Sequence, residues 1–201
     1  DRGGAANAVL HNGAMFLTLP TLLTWARIVA IPLIVGVFYL PLDVATRNAL
    51  ATWLFIVVAA TDWLDGWLAR RLNQTSSFGA FLDPVADKFL VCAALLILLQ
   101  LDRVNALVAI IIIGREIAIS ALREWMAELG AGKSVAVAFV GKLKTTAQMT
   151  AIIALLLYEP LIPGVSTPLL GTVALWLAAI LTLWSMVHYL KKAAPYLRSD
   201  R

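Results

Sequence analysis

Apolar residues dominate six long stretches of this chain, and short polar segments separate them. The stretches predict six helices, at about 18–40, 47–71, 84–101, 104–129, 134–158 and 168–192. Each is close to the length of about twenty residues that an α-helix needs to cross about 30 Å of hydrocarbon. Turn-forming residues such as Pro41, Asn73, Gly130 and Pro160 lie between them. The pattern predicts an all-α integral membrane protein, a bundle of six transmembrane helices.

The composition agrees with a membrane protein that has one domain. Of 201 residues, 61% are hydrophobic and 14% are charged, against about 25% charged residues in soluble proteins. Residues 1–14 are small and polar, and we expect them to be disordered or foreign to the natural chain, so that one membrane domain spans 15–201. The single cysteine, Cys92, excludes an intramolecular disulfide and a cysteine metal cluster.

The positive charges predict how the helices are oriented. Of the 16 Lys and Arg residues, all except Arg47 and Arg103 fall on the membrane side that holds both termini. Positive residues favour the cytoplasmic side, so we expect both termini in the cytoplasm. A net charge of +4 can also indicate nucleic-acid binding, but these residues border membrane helices and no base-reading module accompanies them. We expect no nucleic-acid partner, and attraction to anionic headgroups of the lipid bilayer instead.

Four carboxylates lie close together in the sequence, Asp62 and Asp65 three residues apart and Asp83 and Asp87 four apart. On helices, each pair shares a face, and two such helices side by side form a site for one or two divalent metals, Mg²⁺ or Mn²⁺. Alternatively, Asp83 before Pro84 is an N-cap at a helix start. Uncompensated carboxylates beside membrane-length apolar runs are energetically costly, so their presence usually marks a functional site. This favours the metal site.

Four basic residues in apolar surroundings leave two interpretations open. Glu116, Ser120 and Arg123 share a helix face at i, i+4 and i+7 and could form a structural stack along it. Alternatively, Arg115 or Arg123 points into the bundle and binds a phosphate through the forked donors of arginine. Lys142 and Lys144 lie on different sides of one helix, so that one could face the interior while the other reaches the headgroups.

The acidic stretch resembles the motif of the CDP-alcohol phosphatidyltransferases. It reads D-x-x-D-G-x-x-A-R, eight further residues, and then G-x-x-x-D-x-x-x-D. The matching positions are Asp62, Asp65, Gly66, Ala69, Arg70, Gly79, Asp83 and Asp87. The resemblance implies a six-helix membrane bundle, commonly a homodimer, that uses a CDP-linked lipid.

The resemblance also implies roles for these residues. It implies metal ligands at Asp62, Asp65 and Asp83. It implies that Asp87 contacts the second metal ion and is the catalytic base on the acceptor hydroxyl. It implies a site for the CDP moiety shaped by Gly66, Ala69, Arg70 and Gly79.

Three further runs resemble the bacterial family members whose acceptor is sn-glycerol 3-phosphate: L-P-T-L-L-T-W-A-R from residue 19, R-E-I-A-I-S-A-L-R-E-W from residue 115, and V-G-K-L-K-T-T-A-Q-M from residue 140. The implied reaction converts CDP-diacylglycerol and sn-glycerol 3-phosphate into phosphatidylglycerophosphate and CMP. The implied location is the bacterial inner (cytoplasmic) membrane, with the active site facing the cytoplasm. The acceptor phosphate would then be neutralised by Arg115, Arg123, Lys142 and Lys144.

Two alternatives stay open at this point. The same chemistry with another acceptor would make the chain a cardiolipin or phosphatidylserine synthase. The four carboxylates could instead line the ion path of a divalent metal transporter, although transport usually needs acids spread along a route.

Overall fold

A computed structural model describes residues 19–72, 77–128, 138–160 and 164–199. It contains six helices: α1 (Leu19–Val37), α2 (Val44–Leu72), α3 (Ser77–Gln100), α4 (Ala106–Glu128), α5 (Ala138–Leu157) and α6 (Thr167–Ser199). No β-strand lies in the described ranges. The all-α prediction is therefore confirmed, and each of the six predicted helices is present.

Helix α3 begins earlier than predicted. The sequence suggested a start at Pro84, but the helix runs from Ser77 and Pro84 lies inside it. Asp83 is therefore not an N-cap, and that interpretation was wrong. Proline removes one backbone donor from a helix, whereas ending the helix in apolar surroundings leaves several backbone groups without hydrogen-bond partners. Continuing through the proline is the less costly choice, as it also is at Pro32 in α1.

The chain forms two compact units, Asp1–Ala94 and Leu95–Arg201. In the first, α1 packs against α2. In the second, α6 packs against both α5 and α4. The buried face of α1 repeats every three or four residues, as one side of a helix does, and consists of Thr24, Arg27, Ile31, Ile34 and Val37.

The helices bury polar side chains and leave large apolar ones uncovered by protein. Val29, Leu33 and Trp53 are 59%, 60% and 66% exposed, whereas Thr24 and Arg27 are 0% and 2% exposed. Soluble monomers rarely expose apolar surface on this scale. The arrangement is the one expected when the surroundings are hydrocarbon.

Two of the described helices are long and apolar enough to cross a membrane, α2 over Val44–Thr61 and α6 over Thr167–Pro195. Helices α1 and α5 contain shorter apolar segments, Leu22–Val37 and Leu143–Leu157. The six crossings, and the side on which the termini lie, stay predictions.

Helix α6 approaches α5 closely at Gly171. A Cβ atom at this position would lie 2.8 Å from Cγ of Leu155 and 3.1 Å from Cβ of Ala154. Small residues permit this kind of close packing between membrane helices, where dispersion contacts replace the hydrophobic effect as the source of stability.

Arg103, in the loop between α3 and α4, closes the end of α5. Its Nη1 donates hydrogen bonds to the carbonyl oxygens of Leu155 at 3.0 Å and Leu156 at 2.9 Å. These carbonyls belong to the last turn of α5, where carbonyl oxygens have no hydrogen-bond partners within the helix. The guanidinium also lies 4.3 Å from the ring centroid of Tyr158, a cation–π contact. Burial lowers the pKa of Arg103, and Tyr158 and Glu159 act in the opposite direction.

Asp43 caps the start of α2. Its Oδ2 accepts a hydrogen bond from the backbone N–H of Thr46 at 2.9 Å, and its Oδ1 accepts one from Thr46 Oγ1 at 2.7 Å. Both bonds stabilise the carboxylate, and the side-chain bond is the largest cause of a lowered pKa at Asp43. This is the usual chemistry of an N-cap aspartate.

The Asp43 cap predicts a pH-dependent contribution to stability. Because the pKa is lowered from 3.8 in the folded state, the contribution is complete above the unfolded pKa and is lost as the pH falls through the folded one. We expect the difference in Tm between the native chain and Asp43→Asn to be larger at pH 7 than at pH 3. Scanning calorimetry in detergent measures it, and a difference that grows on acidification would contradict the assignment.

Removing the Arg103 side chain should destabilise the second unit. Arg103→Ala loses two charge-assisted hydrogen bonds, which predicts a loss of about 2 kcal/mol and a fall in Tm of roughly 5 °C for a chain of this size. Lys191→Ala, at an exposed lysine of α6, is the control and should leave Tm unchanged. Equal Tm values for the two variants would show that the cap does not stabilise α5.

Candidate active site

Three of the predicted site residues form a stripe along α3. Gly79, Asp83 and Asp87 follow at intervals of four, so they lie on one face in successive turns. Gly79 is buried, and both aspartates are half-buried. A carboxylate in such a position is held by the fold and can still be reached by an ion or substrate.

The carboxylate of Asp83 is oriented from α1. Thr24 Oγ1 donates a hydrogen bond to Asp83 Oδ1 at 2.5 Å, and Thr24 is completely buried. Metal-binding carboxylates are commonly fixed by such an outer partner. Sequence reasoning missed Thr24, because only its position in the run from Leu19 to Arg27 set it apart.

Arg27 lies one turn after Thr24 on the same buried face of α1, and it is 2% exposed. The sequence interpretation counted it only among the charges that orient the helices. The sequence did contain a signal that Arg27 is different. It lies in the middle of an apolar run, whereas the charges that orient membrane helices lie nearer the helix ends.

The second acidic pair lies on α2, as predicted. The helix continues to Leu72, so Asp62 and Asp65 are one turn apart on it, with Gly66, Ala69 and Arg70 following in the next turns. The side chains of residues 62–78 lie outside the described part of the chain. Among the side chains that are described, no three His, Cys, Asp or Glu residues form a metal-sized group. The meeting of all four carboxylates therefore stays a prediction.

The donor set suits a hard divalent cation. Asp83 and Asp87 offer only oxygen atoms, which are the ligands that Mg²⁺ and Mn²⁺ prefer. They lie one turn apart on a single rigid helix, and one of them is already held by Thr24. The residues present therefore fit the metal implied by the motif.

A cluster of ionised side chains joins three helices of the second unit. Arg115 Nη1 lies 3.2 Å from Glu116 Oε1, and Arg115 Nη2 donates to Ser185 Oγ on α6 at 3.1 Å. Lys144 of α5 forms an ion pair with the same oxygen of Glu116. The side chains of Arg115, Glu116 and Lys144 are 10%, 16% and 6% exposed. We call these residues and Ser185 the α4–α6 charge cluster.

The cluster answers part of the question left open by the sequence. Glu116 pairs with Arg115 and Lys144, while Ser120 donates to the backbone oxygen of Glu116 at 2.6 Å and Arg123 is exposed. The pairing of charges is therefore across helices as well as along one. Lys144 faces the protein interior, and the side chain of Lys142 lies outside the described residues.

Comparison with known proteins identifies the family. The model of the CDP-alcohol phosphatidyltransferase family matches residues 17–184, most of the chain. The chain belongs to the CDP-alcohol phosphatidyltransferases. Members of this family are generally dependent on divalent metal ions, which agrees with the oxygen donors on α3.

Individual members of the family cover nearly the whole chain. Proteins from Shigella flexneri serotype 5b and Escherichia coli K12 are each 51% identical over 181 residues, which is 89% of this chain and 96% of theirs. A protein from Salmonella choleraesuis is 50% identical over the same length. All three bear the name CDP-diacylglycerol--glycerol-3-phosphate 3-phosphatidyltransferase.

Proposed function

We propose that this chain is a phosphatidylglycerophosphate synthase, which transfers the phosphatidyl group of CDP-diacylglycerol to sn-glycerol 3-phosphate and releases CMP. The observation that carries the proposal is 51% identity, over 89% of the chain, to relatives named for this reaction. Relatives of that name give no support to another acceptor, as in a cardiolipin or phosphatidylserine synthase, or to a metal transporter.

We assign the metal site to Asp62, Asp65, Asp83 and Asp87, with two ions of Mg²⁺ or Mn²⁺. The helical placement of both pairs and the hydrogen bond from Thr24 to Asp83 support this assignment. Bound there, the ions would supply positive charge to the diphosphate oxygens and the departing nucleotide. The CDP moiety is assigned to Gly66, Ala69, Arg70 and Gly79, and the burial of Gly79 is consistent with a close approach at that point.

The proposed step needs one proton transfer and one displacement at phosphorus. Asp87 takes the proton of the acceptor hydroxyl, and the freed oxygen forms a bond to the phosphorus of the phosphatidyl group. The bond from that phosphorus to the bridging diphosphate oxygen breaks. The bridging oxygen leaves with its electron pair as part of CMP.

The acceptor phosphate is assigned to Arg115, Arg123, Lys142 and Lys144. The assignment is best supported for Arg115 and Lys144, the two buried cations that pair with Glu116. In a desolvated cluster their attraction for a phosphate is strong. Residues 15–201 are proposed to form one membrane domain, which assembles as a homodimer. The positive-inside pattern supports a bacterial inner membrane location with the active site facing the cytoplasm.

Replacing Asp87 should abolish the reaction while leaving the fold intact. Purified protein in detergent receives CDP-diacylglycerol, Mg²⁺ and sn-glycerol 3-phosphate, and CMP and lipid product are measured. We expect phosphatidylglycerophosphate from the native chain and a rate at least about a hundredfold lower from Asp87→Asn, because a general base is lost. Asp102→Asn, at an exposed loop aspartate, should retain the native rate. CMP release with another acceptor alone would overturn the choice of acceptor.

Thr24 should control metal affinity through Asp83. Thr24→Val keeps the side-chain shape but removes the hydroxyl donor, and loss of an outer partner weakens metal binding by about tenfold or more. Electron paramagnetic resonance of free Mn²⁺ measures the Kd without catalysis. Thr24→Ser should restore binding. Thr52→Val is the matched control, since Thr52 is also buried but bonds to the Asn48 carbonyl; an equal loss of affinity in it would contradict the role of Thr24.

A further inference from the structure

Glu116 is the centre of the α4–α6 charge cluster, although neither the motif nor the proposed chemistry uses it. One of its oxygens, Oε1, lies 3.2 Å from Arg115 Nη1 and is also paired with Lys144 Nζ, so a single carboxylate oxygen holds an arginine and a lysine that belong to different helices. Lys144 is 28 residues farther along the chain.

The contacts of the cluster are shielded from water. The side chains of Arg115, Glu116 and Lys144 are at most 16% exposed, and one carboxylate oxygen is shared between the two cations. The attraction between a cation and a phosphate is stronger in such a desolvated site than in water.

An unused donor lies in the same cluster. The two Nη atoms of Arg115 have partners, Glu116 and Ser185, whereas its Nε is buried and has no hydrogen-bond partner among the described residues. Buried donors are almost always satisfied, and a phosphate oxygen is an acceptor that suits the guanidinium fork.

We propose that Glu116 is a positioning residue, which holds Arg115 and Lys144 together as a preformed receptor for the phosphate of the acceptor. This inference rests on the proposed function for the identity of the acceptor. The two cations repel each other, so without Glu116 they separate and must be brought back together each time a phosphate binds. Holding them in place in advance removes that reorganisation from the binding step.

The direction in which Glu116→Gln changes KM for sn-glycerol 3-phosphate shows whether Glu116 positions the two cations or only neutralises their charge. If Glu116 only neutralised charge, Glu116→Gln would remove an anion that competes with phosphate for the two cations, and KM for sn-glycerol 3-phosphate would fall. If Glu116 positions the cations, the same change raises this KM although the site becomes more positive. We expect a rise on the order of tenfold, the usual size for a lost charge-assisted contact.

The experiment compares Glu116→Gln, Glu116→Asp and the control Glu124→Gln, which lies at an exposed position two turns later on α4. For the purified full chain, KM for each substrate, kcat and Tm are measured. We expect only KM for sn-glycerol 3-phosphate to rise in Glu116→Gln, with Glu116→Asp intermediate and Glu124→Gln unchanged. A lowered or unchanged KM overturns the proposal, as does an equal rise in KM for CDP-diacylglycerol, which would assign the cluster to the lipid diphosphate.

A binding measurement keeps the test independent of the reaction. Inorganic phosphate should raise the Tm of the native chain and of Glu124→Gln, and should raise that of Glu116→Gln much less. If the native chain makes no phosphatidylglycerophosphate but this difference is found, the proposed function fails and the receptor stands. Equal stabilisation of all three proteins by phosphate overturns the receptor, whatever the reaction proves to be.

Discussion

An ionised side chain surrounded by apolar groups is stable only beside an opposite charge or strong hydrogen-bond partners. Two groups of contacts in the second unit follow that constraint. Lys144 and Arg115 share the carboxylate of Glu116, and Arg103 binds the free carbonyls at the end of α5. Because large apolar side chains cover the outer faces of the helices, the polar contacts lie between helices.

The helices were predictable because their signal is local and strong. Apolar runs separated by turn-forming residues indicate where each helix lies, so the predicted bounds of α1, α2, α4 and α5 differ from the observed ones by a few residues. The exceptions are the end of α6, which extends to Ser199 instead of about residue 192, and the start of α3, where proline was given its usual weight as a helix boundary. Proline is a good signal of a helix boundary in water, because water can bind the backbone groups released when a helix ends. In apolar surroundings those groups would have no partners, so the helix continues through the proline.

The candidate site was predictable only in part, for a physical reason. Spacing along a helix identifies residues that share a face, and so it brought Asp83 and Asp87 together with Gly79. Spacing says nothing about which residue of another helix lies opposite. Thr24 is 59 residues from Asp83, and Ser185 is 70 from Arg115, so no periodic pattern connects them. The resemblance to the family supplied the roles predicted for the aspartates, while these cross-helix partners became visible only in three dimensions.

The order of residues in the charge cluster has a consequence for how the protein enters its membrane. Helix α4 is synthesised before α5, and Arg115 and Glu116 are neighbours on it, so this pair is formally neutral before Lys144 has been made. Lys144 then arrives with its anionic partner already in place. Each cation of the cluster thus meets an anionic partner that is synthesised beside it or before it, and α6, which follows α5, adds the uncharged hydroxyl of Ser185.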